Sequence, residues 1–149
     1  FVGKGDIINA GDMTVRILAP QRGSAYENGN ASSVVAEVSV GSFKALFTGD
    51  VEGTGEKALL QEGSLGDVDV LKAAHHGSKN STPELFLEMT KPEIAVISCG
   101  ENNSYGHPHA QLLKRLDESG SLAARTDLLG AITVKVTDDG YTVTGHLKP

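Results

Sequence analysis

Apolar positions along the chain fall into short runs separated by glycine, proline and small polar clusters, and the period of each run names its element. Residues 13–18 alternate in polarity and predict a strand, joined through Ala10-Gly11-Asp12 to a shorter one at residues 6–9 and ended by Pro20. Residues 21–31 have no apolar period and read as a loop. Residues 33–40 and 42–47 predict a second hairpin about Gly41, and the run Ala45-Leu46-Phe47 marks a strand covered on both faces. From there helices alternate with strands. Residues 52–61 predict a helix with acidic residues in its first turn, closed by Gly63. Residues 67–74 and 94–98 predict strands, each leading to a helix. The first of these helices has Ser81 or Thr82 as its cap, Pro83 in its first turn, Glu84 reaching back, and Leu85, Phe86 and Met89 as its buried stripe. The second starts at His107-Pro108, carries Leu112, Leu113 and Leu116 inward, and is closed by Gly120. Residues 122–125, 131–136 and 141–145 predict closing strands, the last two joined by Asp138-Asp139-Gly140.

Two hairpins followed by helix–strand alternation and a final hairpin predict an α/β layer structure with a mixed sheet. At 149 residues the chain suits one domain, residues 1–149. Its 39% hydrophobic and 21% charged residues exclude a disordered composition, and no apolar run reaches the roughly 18 residues of a membrane-spanning helix. A net charge of −6 with 13 scattered Lys and Arg excludes a broad nucleic-acid-binding face, while local phosphate contacts stay open. Cys99, the single cysteine, excludes an internal disulfide and a cysteine zinc cage, which leaves histidine and carboxylate as metal ligands. The chain opens on strand-like sequence without a methionine, as expected of a piece of something longer.

Three candidate chemical stretches follow strands, where α/β sheets collect their sites. They are Thr48-Gly49-Asp50, then His75-His76-Gly77-Ser78, then the loop ending in Tyr105-Gly106-His107-Pro108-His109. A hydrolytic two-metal site needs imidazole and carboxylate donors, so Asp50 suits a bridging carboxylate and His75 or His76 a terminal ligand. If the strand stays regular to its end, alternation puts His75 on the face of Leu71 and Ala73, and His76 on that of Val70 and Lys72, so one histidine suffices. Gly77 leaves room for substrate. His107 suits a general acid or a phosphate contact, supported by Asn103 and by the free N–H groups of the helix expected there. Ser78, Lys79 and His109 are further candidates for phosphate, and Asn30 for facing the site. Each has a plainer reading: Asp50 as a carboxylate at a helix start, the histidine pair as a strand end, His107 as an exposed residue. Cys99 reads as a buried strand end rather than a nucleophile, and His146 as structural or exposed.

Together these stretches resemble the metallo-β-lactamase-like domain of the ComEC family of DNA-uptake competence proteins. The residues that carry the resemblance are Thr48-Gly49-Asp50, the run from Asp69 through His75-His76-Gly77-Ser78, Lys91-Pro92 with the apolar strand after it, and Asn103-Ser104-Tyr105-Gly106-His107-Pro108-His109. Asn30-Ala31-Ser32-Ser33-Val34-Val35 also belongs to it. The resemblance implies an αβ/βα sandwich whose metal site lies at the sheet edges between two halves. It implies two divalent ions, zinc or manganese, with Asp50 as bridge, His75 or His76 as ligand (His76 favoured by its pairing with Gly77), and His107 on the other rim. The superfamily signature His-x-His-x-Asp-His, or its variant with an aspartate at the second position, does not occur in the chain. It belongs to the first half, so the chain is expected to be the second half, with weak or no metal binding and little activity alone. The implied function is metal-dependent hydrolysis of DNA phosphodiesters during DNA uptake, by a soluble domain of a bacterial inner-membrane protein. The alternative is a catalytically silent module of the same fold that binds DNA or packs against a membrane channel. Implied partners are a DNA strand, the first half of the domain, the channel part of the parent protein, and a second copy through the exposed half-sandwich face.

Overall fold

The computed structural model describes residues 1–146. Strands β1 (Ile7–Ala10), β2 (Met13–Ala19), β3 (Val35–Val40) and β4 (Phe43–Phe47) run antiparallel as two successive hairpins. Strands β5 (Val70–Lys72), β6 (Ile94–Ile97) and β7 (Leu122–Arg125) continue the same sheet in parallel with β4. Order in space equals order in sequence across all seven strands. The crossovers between β4 and β7 carry helices α1 (Thr54–Glu62), α2 (Glu84–Thr90) and α3 (Ala110–Glu118), and a single turn, α4 (Thr126–Leu129), follows β7.

Parallel crossovers are right-handed, and a sheet that always grows in one direction therefore places all its helices on one face. That face is the main core, where Leu46, Leu71, Ala95 and Ile97 from the strands meet Leu59, Phe86, Leu112 and Leu116 from the helices. The opposite face holds Phe43, Ala45 and Val70, covered in part by Val134, Val136 and Tyr141. Those three come from β8 (Ile132–Thr137) and β9 (Gly140–Gly145), a hairpin that forms its own two-stranded sheet. A mixed sheet with helices on one side is the half-architecture of an αβ/βα sandwich.

Several boundaries differ from expectation, each for a local reason. Strand β5 stops at Lys72, and the histidines lie in a tight turn, Ala74–Gly77, with φ of 47° at His75 and 55° at His76. Strand alternation therefore does not place them. Helix α1 begins at Thr54, which leaves Glu52 in the connecting loop. Helix α3 begins at Ala110 with His109 at its cap, so His107 and Pro108 lie outside it. In α2 the buried residues are Phe86, Leu87 and Thr90, while Leu85 is exposed. Ser81 and Thr82 do not cap α2: the Ser81 hydroxyl donates to the Ala74 carbonyl and the Thr82 hydroxyl accepts from the Ala74 N–H.

Candidate active site

Strands β4, β5 and β6 end at one edge of the sheet, and a lattice of bonds ties the loops beyond them together. The Thr48 hydroxyl donates to the Lys72 carbonyl (2.6 Å), the Ala73 N–H to the Val96 carbonyl (2.9 Å), and the His75 N–H to the Gly49 carbonyl (3.2 Å). Gly49 has φ of 55°, and a Cβ there would sit 3.2 Å from both Ser33 Cβ and the Val34 carbonyl oxygen. That close approach fixes the turn preceding Asp50, whose N–H donates to Ser33 Oγ (3.3 Å).

His76 Nδ1 lies 2.7 Å from the Ser98 carbonyl oxygen. A carbonyl only accepts, so Nδ1 carries a proton, and in the neutral ring Nε2 is left to present a lone pair. Nε2 faces Asp50 Oδ1 at 3.5 Å. An imidazole held at one nitrogen by a carbonyl with the other turned to a carboxylate is the arrangement of a metal ligand with its outer support. His75 Nδ1 lies 3.0 Å from Glu52 Oε2, and Asn30 Nδ2 donates to Glu52 Oε1 at 3.0 Å. Burial works against the Glu52 charge, yet the bonds from Asn30 and His75 outweigh it and hold the carboxyl below its ordinary range. Asn30 thus reaches the site through Glu52.

Lys72, at the end of β5, donates from Nζ to the Gly49 carbonyl (2.7 Å) and stands 3.7 Å from Asp50 Oδ1. Burial draws its pKa down, and Asp50 opposes that pull. On the far side Asn103 clamps His107: its Nδ2 donates to the Gly100 carbonyl (2.8 Å) and the His107 carbonyl (2.6 Å), and its Oδ1 accepts the His107 N–H (2.9 Å). The His107 ring lies 5.6 Å from that of His75, 6.5 Å from His76 and 4.8 Å from His109, between centroids. Burial and then the neighbouring histidines push its pKa down, against a smaller pull from Asp50.

Two of the phosphate candidates also make bonds within the turn. Ser78 is buried and its hydroxyl accepts the Asn80 N–H (3.2 Å). His109 accepts the Lys79 N–H at Nδ1 (3.2 Å), and its own N–H donates to the Gly77 carbonyl (3.0 Å), so both groups shape the turn. Lys79 keeps an exposed side chain. Asp50 and His76 fit a divalent ion by donor type and orientation, but among the described residues no group of three or more such side chains converges. The site on this chain is a pair of donors.

No family model matches the chain. It is 37% identical to ComE operon protein 3 of Bacillus subtilis (strain 168) over 131 residues, 88% of this chain and 17% of that protein. It is 36% identical to Recombination protein 2 of Haemophilus influenzae over 110 residues, 74% of this chain and 14% of that protein. With Competence protein ComA of Neisseria gonorrhoeae it shares 39% identity over 105 residues, 69% of this chain and 15% of that protein. The chain belongs to the ComEC family of competence proteins. It spans between 14 and 17% of the length of these relatives.

In this ComEC-family chain two residues outside the histidine motifs join the site: Lys72 beside Asp50, and Glu52 behind His75. A signal for Lys72 lies in the sequence, since it is a charged residue ending the apolar run Val70-Leu71 of a buried strand. Glu52 had none, because the expected helix start absorbed it. Cys99 sits at the end of β6 with its thiol donating to Asp127 Oδ1 (3.3 Å); burial and that bond raise the thiol pKa, which suits no nucleophile. His146 closes the β8–β9 hairpin, its N–H donating to the Leu129 and Ala131 carbonyls. No helix among the described residues is long and apolar enough to cross a membrane.

Proposed function

We propose that the domain containing this chain is a metal-dependent hydrolase of DNA phosphodiester bonds that acts during DNA uptake, as part of a bacterial inner-membrane protein. The observation that carries this reading is the orientation of His76, with Nδ1 bound to Ser98 and Nε2 turned to Asp50. Asp50 and His76 would hold zinc or manganese, with further ligands and a second ion supplied by a first half of the sandwich. A divalent ion held there supplies Lewis-acid polarisation of a phosphoryl oxygen and an acidified water. His75, fixed by Glu52, keeps the turn and the neighbouring ring in place. His107, whose pKa burial and the neighbouring histidines lower, serves as a phosphate contact or exchanges a proton with the leaving oxygen. Asn103 sets its backbone, and the exposed Lys79 is available to a phosphate. The sheet face opposite the helices, with Phe47 half exposed, is the surface for the first half or, in its absence, for a second copy.

A second reading, a silent module that binds DNA or a membrane channel, is favoured by Lys72, whose ammonium already faces Asp50. Metal content and cleavage separate the two. For the complete domain, two equivalents of zinc or manganese, cleavage of a DNA strand, and loss of both in Asp50→Ala support the hydrolase. Metal-free protein that binds DNA equally well with and without Asp50 supports the silent module. The 149-residue chain by itself is expected to bind metal weakly and to cleave nothing.

A further inference from the structure

Tyr105 is 77% exposed, a large apolar ring left in solvent beside the site. Its placement is not loose. The ring lies 5.8 Å from that of His107 with 24° between the planes, and His107 in turn lies 6.5 Å from His76 at 22°. His107 thus lies between Tyr105 and His76, whose Nε2 faces the Asp50 carboxylate at 3.5 Å. The loop beneath is fixed by the bonds of Asn103 to Gly100 and to both backbone groups of His107. The phenol ring stands beside His107, and most of its surface is open to solvent. Among the described residues its hydroxyl has no hydrogen-bond partner, so the ring is not there to position a polar group.

An exposed aromatic ring, on a loop that Asn103 ties down and next to His107 of the candidate site, matches the flat face of a nucleobase. We propose that Tyr105 is the stacking platform for one base of single-stranded DNA, setting the nucleotide that flanks the phosphate at Asp50 and His76. What is cut there rests on the hydrolase reading above; the stacking itself does not. Bases within a duplex are already stacked on each other and offer no free face, so the platform selects single strands. With a net charge of −6, the chain gains little from counterion release, and binding is weighted toward stacking with a shallow salt dependence.

The test uses the complete domain in the presence of a chelator, with fluorescence anisotropy of a labelled DNA strand of about twelve nucleotides, within the usual site sizes of single-strand binders. Tyr105→Ala is expected to weaken binding roughly 5- to 160-fold, the range for losing one base–aromatic stack, while Tyr105→Phe stays within about twofold. A strand carrying abasic positions should bind wild type as weakly as the intact strand binds Tyr105→Ala. The proposal is overturned if wild type does not bind, if Tyr105→Ala binds as wild type does, if Tyr105→Phe loses as much as Tyr105→Ala, or if duplex binds as tightly as single strand. Because the assay excludes metal, a stacking effect in a domain that never cleaves DNA sinks the hydrolase and leaves the platform standing. Cleavage with no Tyr105 effect does the reverse.

Discussion

His76 Nε2 faces Asp50 Oδ1 across 3.5 Å, with the proton of the ring committed to the Ser98 carbonyl on the other nitrogen. The two histidines of the pair are therefore unequal. In the complete domain His76→Ala is expected to abolish one equivalent of zinc or manganese binding. His75→Ala and Glu52→Gln, which disturb only outer support, should lower affinity roughly 10- to 100-fold. Isothermal titration on the three variants checks the ranking, and equal losses would erase the distinction.

Lys72 places a positive charge 3.7 Å from the same carboxylate, where on the hydrolase reading a divalent ion would also come. Two cations sharing one carboxylate repel each other, so Lys72→Met should raise divalent affinity by roughly tenfold, a modest figure for charges a few ångströms apart in a partly wet site. A fall in affinity would mean that Lys72 aids the ion, for example by aiming Asp50.

Glu56 is 4% exposed and accepts the Thr82 N–H, in the segment that follows the histidine turn. Burial raises its pKa from 4.5 to about 7, with smaller opposing help from the Thr82 bond. For a carboxyl raised on folding, the folded state binds the extra proton. Its stabilising contribution is full below about 4.5 and is lost as pH climbs through about 7. The loss approaches roughly 3 kcal/mol at pH 8. Glu56→Gln keeps an acceptor without the charge and should flatten denaturant midpoints across that window. Glu56→Ala should destabilise by about 1–3 kcal/mol at low pH, because the buried Thr82 N–H loses its partner, and by less as pH climbs and the wild-type carboxyl takes on its buried charge.

The two-hairpin start and the helix–strand alternation were legible because burial on one or both faces writes itself into the polarity pattern. The shape of the histidine turn was not. Two successive non-glycine residues at positive φ run against local preference, and what holds them is distant in sequence: Ser81 and Thr82 bonded to Ala74, and Gly49 bonded to His75. Leu85 was misread for a related reason. Several faces of α2 carry apolar residues, and which one turns inward is decided by the sheet beneath it. The candidate residues Asp50, His76, His107 and Asn103 are legible as types in the segments that follow strands, whereas the Asn30–Glu52–His75 chain joins loops that no spacing connects.

Gly77 has φ of 87°, and a Cβ there would meet Pro108 Cβ at 2.7 Å and Ile97 Cγ2 at 3.1 Å. Gly77→Ala therefore suffers both a strained backbone and a clash that pushes the His107 loop away from the His76 turn. A loss of about 2–4 kcal/mol is expected, read from urea unfolding, together with loss of DNA binding. A stable variant with unchanged binding would show that the two loops are independent.

Cys99 donates its thiol to Asp127, which the Arg125 side chain grips in turn. Labelling by a thiol reagent at pH 8 should be slower than for a free cysteine by about tenfold or more, since burial and the carboxylate both keep the proton on sulfur. Cys99→Ser should leave cleavage by the complete domain intact; its loss would reopen a role for sulfur.

The agreement of strand order with chain order carries a consequence for how the protein is made. Each strand finds its neighbour among residues already synthesised, so pairing can advance outward from the first hairpin as the chain lengthens, at low cost in loop closure. The β8–β9 hairpin follows all seven strands in the chain and shares no ladder with them among the described residues, so the surface it covers can be complete before it is made, as a wall stands before its latch.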